Sequence, residues 1–263
     1  MGSNGQNGLG ANLTFTKFVF VRPYLEDAAT LQKIRTAGSN ISRGFFNDYD
    51  ADGSRDPQPQ ETIQFLHCVV PPAGREGFAT APFVAHLSAN YRPRLEEVVC
   101  DLKKRIAGSA DVIVLEGAER APRYTSAEMH KYAYKPAQVR SSGRTARNAI
   151  IIPMSKSAEW WEKSALERHA YFYPHKDSTG SPVKGHAQAA EAGIPKIFRR
   201  LYHNPDGYQR PDEFDFVTYF ECTDESLPVF DQICRALRDE TQNPEWKYVR
   251  EGPEWRGTRV LRW

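Results

Sequence analysis

The segment GHAQAAEAGIPKIFRRLYH, residues 185–203, combines three local patterns that set the architecture of the second half of the chain. An alanine-rich polar stretch is followed by a Gly-Ile-Pro break and then by KIFRRLYH, a run typical of a β-strand. His186 precedes this strand, and Arg199 lies within it. Because neighbouring side chains of a strand point to opposite faces, one of the adjacent arginines Arg199 and Arg200 must face inward.

The elements around this segment repeat in the first half. The second half predicts strands at NAIIIPMSK, KIFRRLYH, DFVTYFEC and GTRVLRW and helices at SAEWWEKSALERHAYFY and SLPVFDQICRALRDE. The first half shows the same order of strand, helix, two strands, helix and strand, from LTFTKFVFVRPY to ADVIVLEGAERA. Two copies of this order predict an α+β fold in which two ferredoxin-like halves form a dimeric α+β barrel with its helices outside. We expect a disordered tail at 1–12, halves at 13–117 and 147–263, and a linker at 118–146.

The composition narrows the class of protein. Hydrophobic residues make up 40% of the 263 positions, and 35 basic side chains nearly balance 33 acidic ones, so we expect a soluble globular protein without a nucleic-acid partner. The four cysteines show no metal-ligand spacing. The sequence has neither an apolar leader nor an 18-residue apolar run, which favours a cytoplasmic protein without a membrane span.

Several polar and aromatic residues are candidates for a site. An inward Arg199 needs an anion, which is either an internal carboxylate such as Asp215 or Glu221 or a bound ligand. The adjacent tryptophans Trp160 and Trp161 cannot both share the core face of one helix, so one of them is available to a large flat ligand. Tyr124, in the linker, offers a phenol to a carboxylate. No pair of the seven histidines has the HExxH spacing of a zinc hydrolase.

Taken together, these segments resemble the chlorite dismutase family of haem proteins. The resemblance is carried by IIIPMSKSAEWW, HAQAAEAGIPKIFRRLYH and DFVTYFE and, more loosely, by ADVIVLEGAERAPRY and YVREGPEWRGTR. It covers most of residues 105–263, whereas residues 14–104 match only in the order of strands and helices. Members of the family fold as paired ferredoxin-like halves, bind haem b in the C-terminal half and assemble as homo-oligomers, commonly pentamers.

The resemblance implies roles for individual residues. His186 matches the proximal ligand of the haem iron, and Arg199 matches an arginine on the distal face, where exogenous ligands attach. Tyr124 and Trp160 match residues that hold the haem propionates. Trp161 matches a second tryptophan beside the pocket.

Departures from the family pattern leave two assignments open. An insertion around YPHKDSTGSPV makes His175 a competitor for the iron; we prefer His186, because Pro174 would end the helix just before His175 and DSTG is typical of a flexible loop. The acid that orients the proximal imidazole should follow RALRD, where we assign Glu240 and keep Glu245 as the alternative.

The resemblance implies a haem b-dependent oxidoreductase that decomposes chlorite to chloride and dioxygen. The alternatives are a haem peroxidase-like enzyme acting on another oxidant or an organic substrate, and a non-catalytic haem-binding protein. The expected partners are a small anionic or oxidant substrate and further copies of the chain, with a pentamer favoured. Arg199 argues against the carrier, because a carrier gains nothing from a charge over an open iron site.

Overall fold

The computed structural model describes residues 13–50, 61–69, 74–119, 131, 135–137 and 143–263. The tail predicted at 1–12 and much of the linker predicted at 118–146 lie outside these residues. The first half contains β1 (Thr14–Pro23), α1 (Ala28–Ile41), β2 (Phe46–Asn47), β3 (Glu61–His67), β4 (Phe83–Ala89), α2 (Arg92–Ile106) and β5 (Ala110–Glu119).

The second half follows a short helix, α3 (Lys135–Ala137). Its elements are β6 (Asn148–Lys156), α4 (Ala158–Glu162), α5 (Ala165–Ala170), β7 (His175–Lys176), β8 (Pro182–Val183), α6 (Gly185–Ala190), β9 (Phe198–His203), β10 (Phe216–Cys222), α7 (Leu227–Arg238), β11 (Val249–Glu251) and β12 (Trp255–Val260). A 3₁₀ helix, Pro244–Tyr248, precedes β11.

Each half arranges four antiparallel strands in the ferredoxin-like order. The first half has the order β5-β1-β4-β3, and the second has the equivalent order β12-β6-β10-β9. The sheets then join at both edges, because β5 pairs with β9 and β3 pairs with β12. Each of these eight strands therefore has two neighbours, and the sheet closes into a barrel. The predicted fold class is confirmed.

The helices of the first half cover the outside of the barrel. α1 begins after Asp27, whose carboxylate accepts hydrogen bonds from the backbone N–H groups of Ala29 and Thr30, both at 2.9 Å. α2 has its apolar residues at helical spacing on one buried face: Leu95, Val98, Val99, Leu102 and Ile106. Burial of this face against β1 and β4 holds α2 on the sheet.

The barrel interior holds an aromatic core supplied by both halves. Phe18, Phe20 and Leu66 from the first half meet Tyr202, Tyr219 and Trp255 from the second. The core therefore makes the two halves one packing unit, and removal of either would expose the other's apolar surface.

A polar network crosses this interior. The buried carboxylate of Glu221 accepts hydrogen bonds from Tyr219 Oη at 2.8 Å and from Gln64 Nε2 at 3.3 Å, and Arg259 Nη1 lies 3.3 Å from it. The guanidinium of Arg259 also donates to backbone carbonyls, including that of Asp48 at 3.1 Å. The ion pair is fully enclosed, so each partner depends on the other for its charge compensation.

The structure corrects two local predictions. The helix predicted at SAEWWEKSALERHAYFY is broken into α4 and α5, because Ser164 and Glu167 form a capping box that starts a new helix. The flexible loop predicted at DSTG is instead the turn of the β7–β8 hairpin, in which Asp177 Oδ1 accepts hydrogen bonds from the N–H groups of Thr179 and Ser181.

Substitution of Arg259 by methionine should lower the free energy of unfolding by about 3–5 kcal/mol, because the Glu221 carboxylate would stay buried without its cation. Urea denaturation measures this loss. Arg105→Ala is the matched control, since it removes an exposed ion pair with Asp101 and should change stability by less than about 1 kcal/mol. Equal losses in both variants would contradict the role given to the enclosed pair.

Candidate functional site

A cavity of about 1240 Å³, partly open to solvent, lies between the outer face of the second-half sheet and helices α6 and α7. Alternate residues of three strands make the sheet wall: Ile152, Met154 and Lys156 on β6, Arg199 and Leu201 on β9, and Phe216, Thr218 and Phe220 on β10. The helical wall includes His186, Ala190, Ile233, Cys234 and Leu237. Most of these lining residues are apolar, which suits the cavity to an organic ligand.

The backbone before His186 fixes where this side chain lies. Gly185 has a φ of +67°, and a Cβ at this position would lie 2.5 Å from the carbonyl oxygen of Tyr173. Its N–H donates to the carbonyl of Gln242 at 3.0 Å, and the N–H of His186 donates to that of Tyr171 at 3.1 Å. A glycine is needed here, and through it α6 is held against both the segment that precedes the β7–β8 hairpin and the segment that carries Glu245.

The imidazole of His186 is oriented by a carboxylate. Its Nδ1 lies 2.9 Å from Glu245 Oε2, and the other carboxylate oxygen accepts from the ammonium of Lys156. Lys156 Nζ also lies 4.3 Å from the centre of the Trp160 ring, a cation–π distance. Glu245 therefore sits between two nitrogen donors from opposite walls of the cavity.

The charge state of Glu245 follows from this arrangement. Burial raises the pKa of its carboxyl, but the charges of Lys156 and His186 and their hydrogen bonds outweigh that effect and lower the pKa to about 2. Burial in turn lowers the pKa of the Lys156 ammonium, and Glu245 opposes that shift. The carboxylate is thus ionised and accepts from both partners.

An ionised Glu245 decides which nitrogen of His186 carries the proton. Nδ1 must donate to the carboxylate, so in the neutral imidazole the lone pair is on Nε2. Nε2 is buried and has no hydrogen-bond partner among the described residues. Buried polar atoms are normally paired, and an unpaired imidazole nitrogen on a residue that lines a cavity is suited to bind the metal of a cofactor.

Arg199 lies on the sheet wall, across the cavity from α6. The two carboxylates named from the sequence as its possible internal partners, Asp215 and Glu221, have contacts with other groups. Glu221 points into the barrel and pairs with Arg259, while Asp215 accepts from three other donors, the N–H groups of Lys156 and Gln209 and the indole of Trp161. Arg199 lines the cavity, and its role toward a ligand stays a prediction.

The two tryptophans occupy different environments. Trp160 is fully buried in an aromatic cluster with Phe172 and Tyr248, and its indole N–H has no hydrogen-bond partner among the described residues. Trp161 stacks on Tyr208 at 4.2 Å and donates to Asp215 at 3.3 Å. Trp160 therefore retains a hydrogen-bond donor, whereas that of Trp161 is used within the protein.

The other residues named from the sequence are placed as follows. His175 is exposed on the β7–β8 hairpin, outside the cavity, so the structure favours His186 over it. Glu240 is exposed in the segment after α7, and the assignment of the orienting acid to it is corrected to Glu245, because among the described residues the 3₁₀ helix Pro244–Tyr248 brings its carboxylate to His186. Tyr124 lies outside the described residues.

Sequence reasoning missed Lys156. A signal for it was present, since Lys156 follows Ile152 and Met154 at alternate positions of one strand and therefore shares their face. What the sequence could not show is that a carboxylate 89 positions away would meet this lysine in the same buried place.

Comparisons with known proteins agree with this architecture. No family model matches the chain. Chlorite dismutase from Candidatus Nitrospira defluvii in complex with imidazole is 21% identical, with a TM-score of 0.65 over 96% of this chain and 92% of that one. A cyanide complex of a tryptophan-to-phenylalanine variant of that enzyme is 20% identical, with a TM-score of 0.64 over 94% of this chain and 90% of that one. An arginine-to-glutamate variant is 19% identical, with a TM-score of 0.66 over 94% and 91% of the two chains.

The chain has the chlorite dismutase fold. In this chlorite dismutase fold, the cavity lies on the second of the two ferredoxin-like units. No helix in the described part of the chain is long and apolar enough to cross a membrane.

The depressed pKa of Glu245 predicts how stability depends on pH. A carboxyl whose pKa is lowered to about 2 from its ordinary value of 4.5 contributes stability above pH 4.5, and this contribution is lost as the pH falls to 2. It amounts to about 3 kcal/mol. Urea denaturation between pH 5 and pH 2 should therefore show a smaller loss of stability in Glu245→Gln than in the wild type.

Glu240→Gln is the matched control for this measurement. It changes an exposed carboxylate of the same connection to an amide and should keep the pH dependence of the wild type. If Glu245→Gln and Glu240→Gln follow the same curve, the buried Lys156–Glu245–His186 arrangement does not exist in solution.

Proposed function

We propose that this protein is a haem b-dependent oxidoreductase in which His186 binds the iron. The single observation that carries the proposal is the buried Nε2 of His186, a residue of the cavity wall: Nε2 has no hydrogen-bond partner among the described residues, while Nδ1 is held by an ionised Glu245. A carboxylate behind a metal-binding imidazole fixes its orientation and raises its basicity. The apolar residues on the sheet wall and the helical wall of the cavity are suited to pack against the two faces of the porphyrin ring.

Further side chains fit the same ligand. Trp160 lies behind the cavity wall, with Lys156 Nζ 4.3 Å from its ring centre, and we assign its buried indole N–H to a carboxylate at the edge of a porphyrin. Arg199, on the wall opposite α6, is suited to a small anion beside the iron. The chlorite dismutase from Candidatus Nitrospira defluvii binds imidazole and, as a variant, cyanide, and binding of small ligands is proposed for the present chain as well.

The proposed reaction is the decomposition of chlorite to chloride and dioxygen. When bound, the haem iron would supply the redox chemistry. The protein's own residues have three tasks: the Arg199 guanidinium attracts the oxyanion and stabilises negative charge as it develops, the apolar walls exclude water, and Glu245 keeps the proton on Nδ1 of His186. The predicted homo-oligomer, with a pentamer favoured, and the cytoplasmic location remain proposals.

Replacement of His186 by alanine should abolish the Soret band that develops when haem is titrated into the apoprotein, because the cavity loses its nitrogen ligand. Absorption spectroscopy of the titration measures this directly, without turnover. His175→Ala is the matched control and should bind haem as the wild type does. Loss of the Soret band in His175→Ala, with a normal band in His186→Ala, would show that the iron ligand lies on the hairpin.

Replacement of Arg199 by alanine should lower the kcat for chlorite by about a hundred- to a thousandfold, because a preorganised charge is removed from a largely apolar pocket. The affinity of the ferric protein for fluoride should fall in parallel, and the melting temperature should stay close to that of the wild type. A lowered melting temperature with unchanged turnover per haem would instead make Arg199 a structural residue.

Activity measurements on the same preparations distinguish the peroxidase-like alternative from chlorite decomposition. Oxygen-electrode traces with chlorite should show dioxygen release. Turnover of hydrogen peroxide with an organic reductant, without dioxygen release from chlorite, would replace the proposed reaction with the peroxidase reaction on the same residues.

A further inference from the structure

A second cavity, of about 970 Å³, lies beside the first and opens to solvent. It is formed by the end of β6 and the start of α4, by the loop at 209–212, and by residues 247–250. Lys156 and Val249 line both cavities and form the partition between them. The proposed haem site does not use this second cavity.

The charges around the second cavity do not cancel. Lys156 and Arg210 each have a carboxylate partner, Glu245 and Glu213 respectively. Lys247 and Arg250 line the cavity and form no salt bridge with a carboxylate in the described part of the chain. The lining residues also include one carboxylate, that of Asp212. The unpaired groups therefore leave an excess of one positive charge.

The wall also contains an unused hydroxyl and apolar surface. Ser157 lines the cavity, its Oγ is buried without a hydrogen-bond partner among the described residues, and it does not cap α4. Tyr248, Pro211 and Val249 add apolar surface to the same cavity. A polar donor, two cations and an apolar wall together match a ligand with one charged end and an organic body.

We propose that this second cavity is a binding site for an organic monocarboxylate. Arg250 and Lys247 bind the carboxylate, because a guanidinium offers paired donors that match its two oxygens. Ser157 supplies a further donor, and the organic body packs against Tyr248. A phosphate dianion is disfavoured, since Asp212 would repel its second charge.

The test uses 4-hydroxybenzoate as the probe and the full-length chain, with and without haem. Equilibrium dialysis gives its affinity, and saturation-transfer NMR shows whether its ring protons contact the protein. We expect binding in the millimolar range, no binding of the neutral isostere 4-hydroxybenzamide, and weaker binding of inorganic phosphate. The double variant Lys247→Ala/Arg250→Ala should weaken 4-hydroxybenzoate binding by at least about tenfold.

Three further variants separate this cavity from other sites. Asp212→Asn should strengthen binding by about two- to fivefold, because it removes the only unpaired negative charge of the wall. Arg199→Ala should leave binding unchanged, since that arginine belongs to the first cavity. Lys103→Ala removes an exposed cation on α2 and should also have no effect.

Each contrary result overturns the inference. Unchanged binding in the double variant, or a loss of binding in Arg199→Ala, would place the probe elsewhere. Loss of binding on haem loading would make the second cavity part of the cofactor site. The proposed function is tested independently, because a protein that binds 4-hydroxybenzoate here but takes up no haem would refute the haem proposal and support this one.

Discussion

The buried carboxylate of Glu245 is the contact on which the candidate site depends. It joins a lysine from the sheet to a histidine from a helix, and neither nitrogen reaches another carboxylate in the residues described. Burying one charge alone would cost several kcal/mol, whereas a carboxylate between two donors is compensated on both sides. The same hydrogen bond that satisfies Glu245 leaves Nε2 as the nitrogen of His186 without a partner in the described part of the chain. Internal stability and the reactivity of the imidazole thus have one physical origin.

Strand pairing and backbone contacts hold in place the two segments that make this contact. β6 carries Lys156 and pairs with β10, β11 and β12, so the backbone of this strand is hydrogen-bonded along both edges. Gly185 brings the start of α6 close to the backbone of Tyr173 and Gln242, three residues before Glu245. The carboxylate and the imidazole therefore approach each other along two anchored segments, which makes their geometry a property of the backbone.

Much of the fold could be predicted from the sequence, and less of the site. Alternating apolar residues and proline positions were sufficient for the strands and for the ferredoxin-like order, because these signals are local. The break between α4 and α5 was missed because the capping pair Ser164 and Glu167 lay inside a pattern that looked continuous. Likewise, the choice between Glu240 and Glu245 depends on where the chain turns after α7, and no spacing rule specifies that turn.

The closure of the barrel links the cavity to the first half of the chain. β12, Trp255–Val260, lies between β6 of its own half and β3 of the other half. Because β6 is one of the strands that wall the cavity, β3 is joined to that wall through a single intervening strand. A substitution that displaces β3 is therefore transmitted across β12, and a mutation in the first half can change ligand binding in the second.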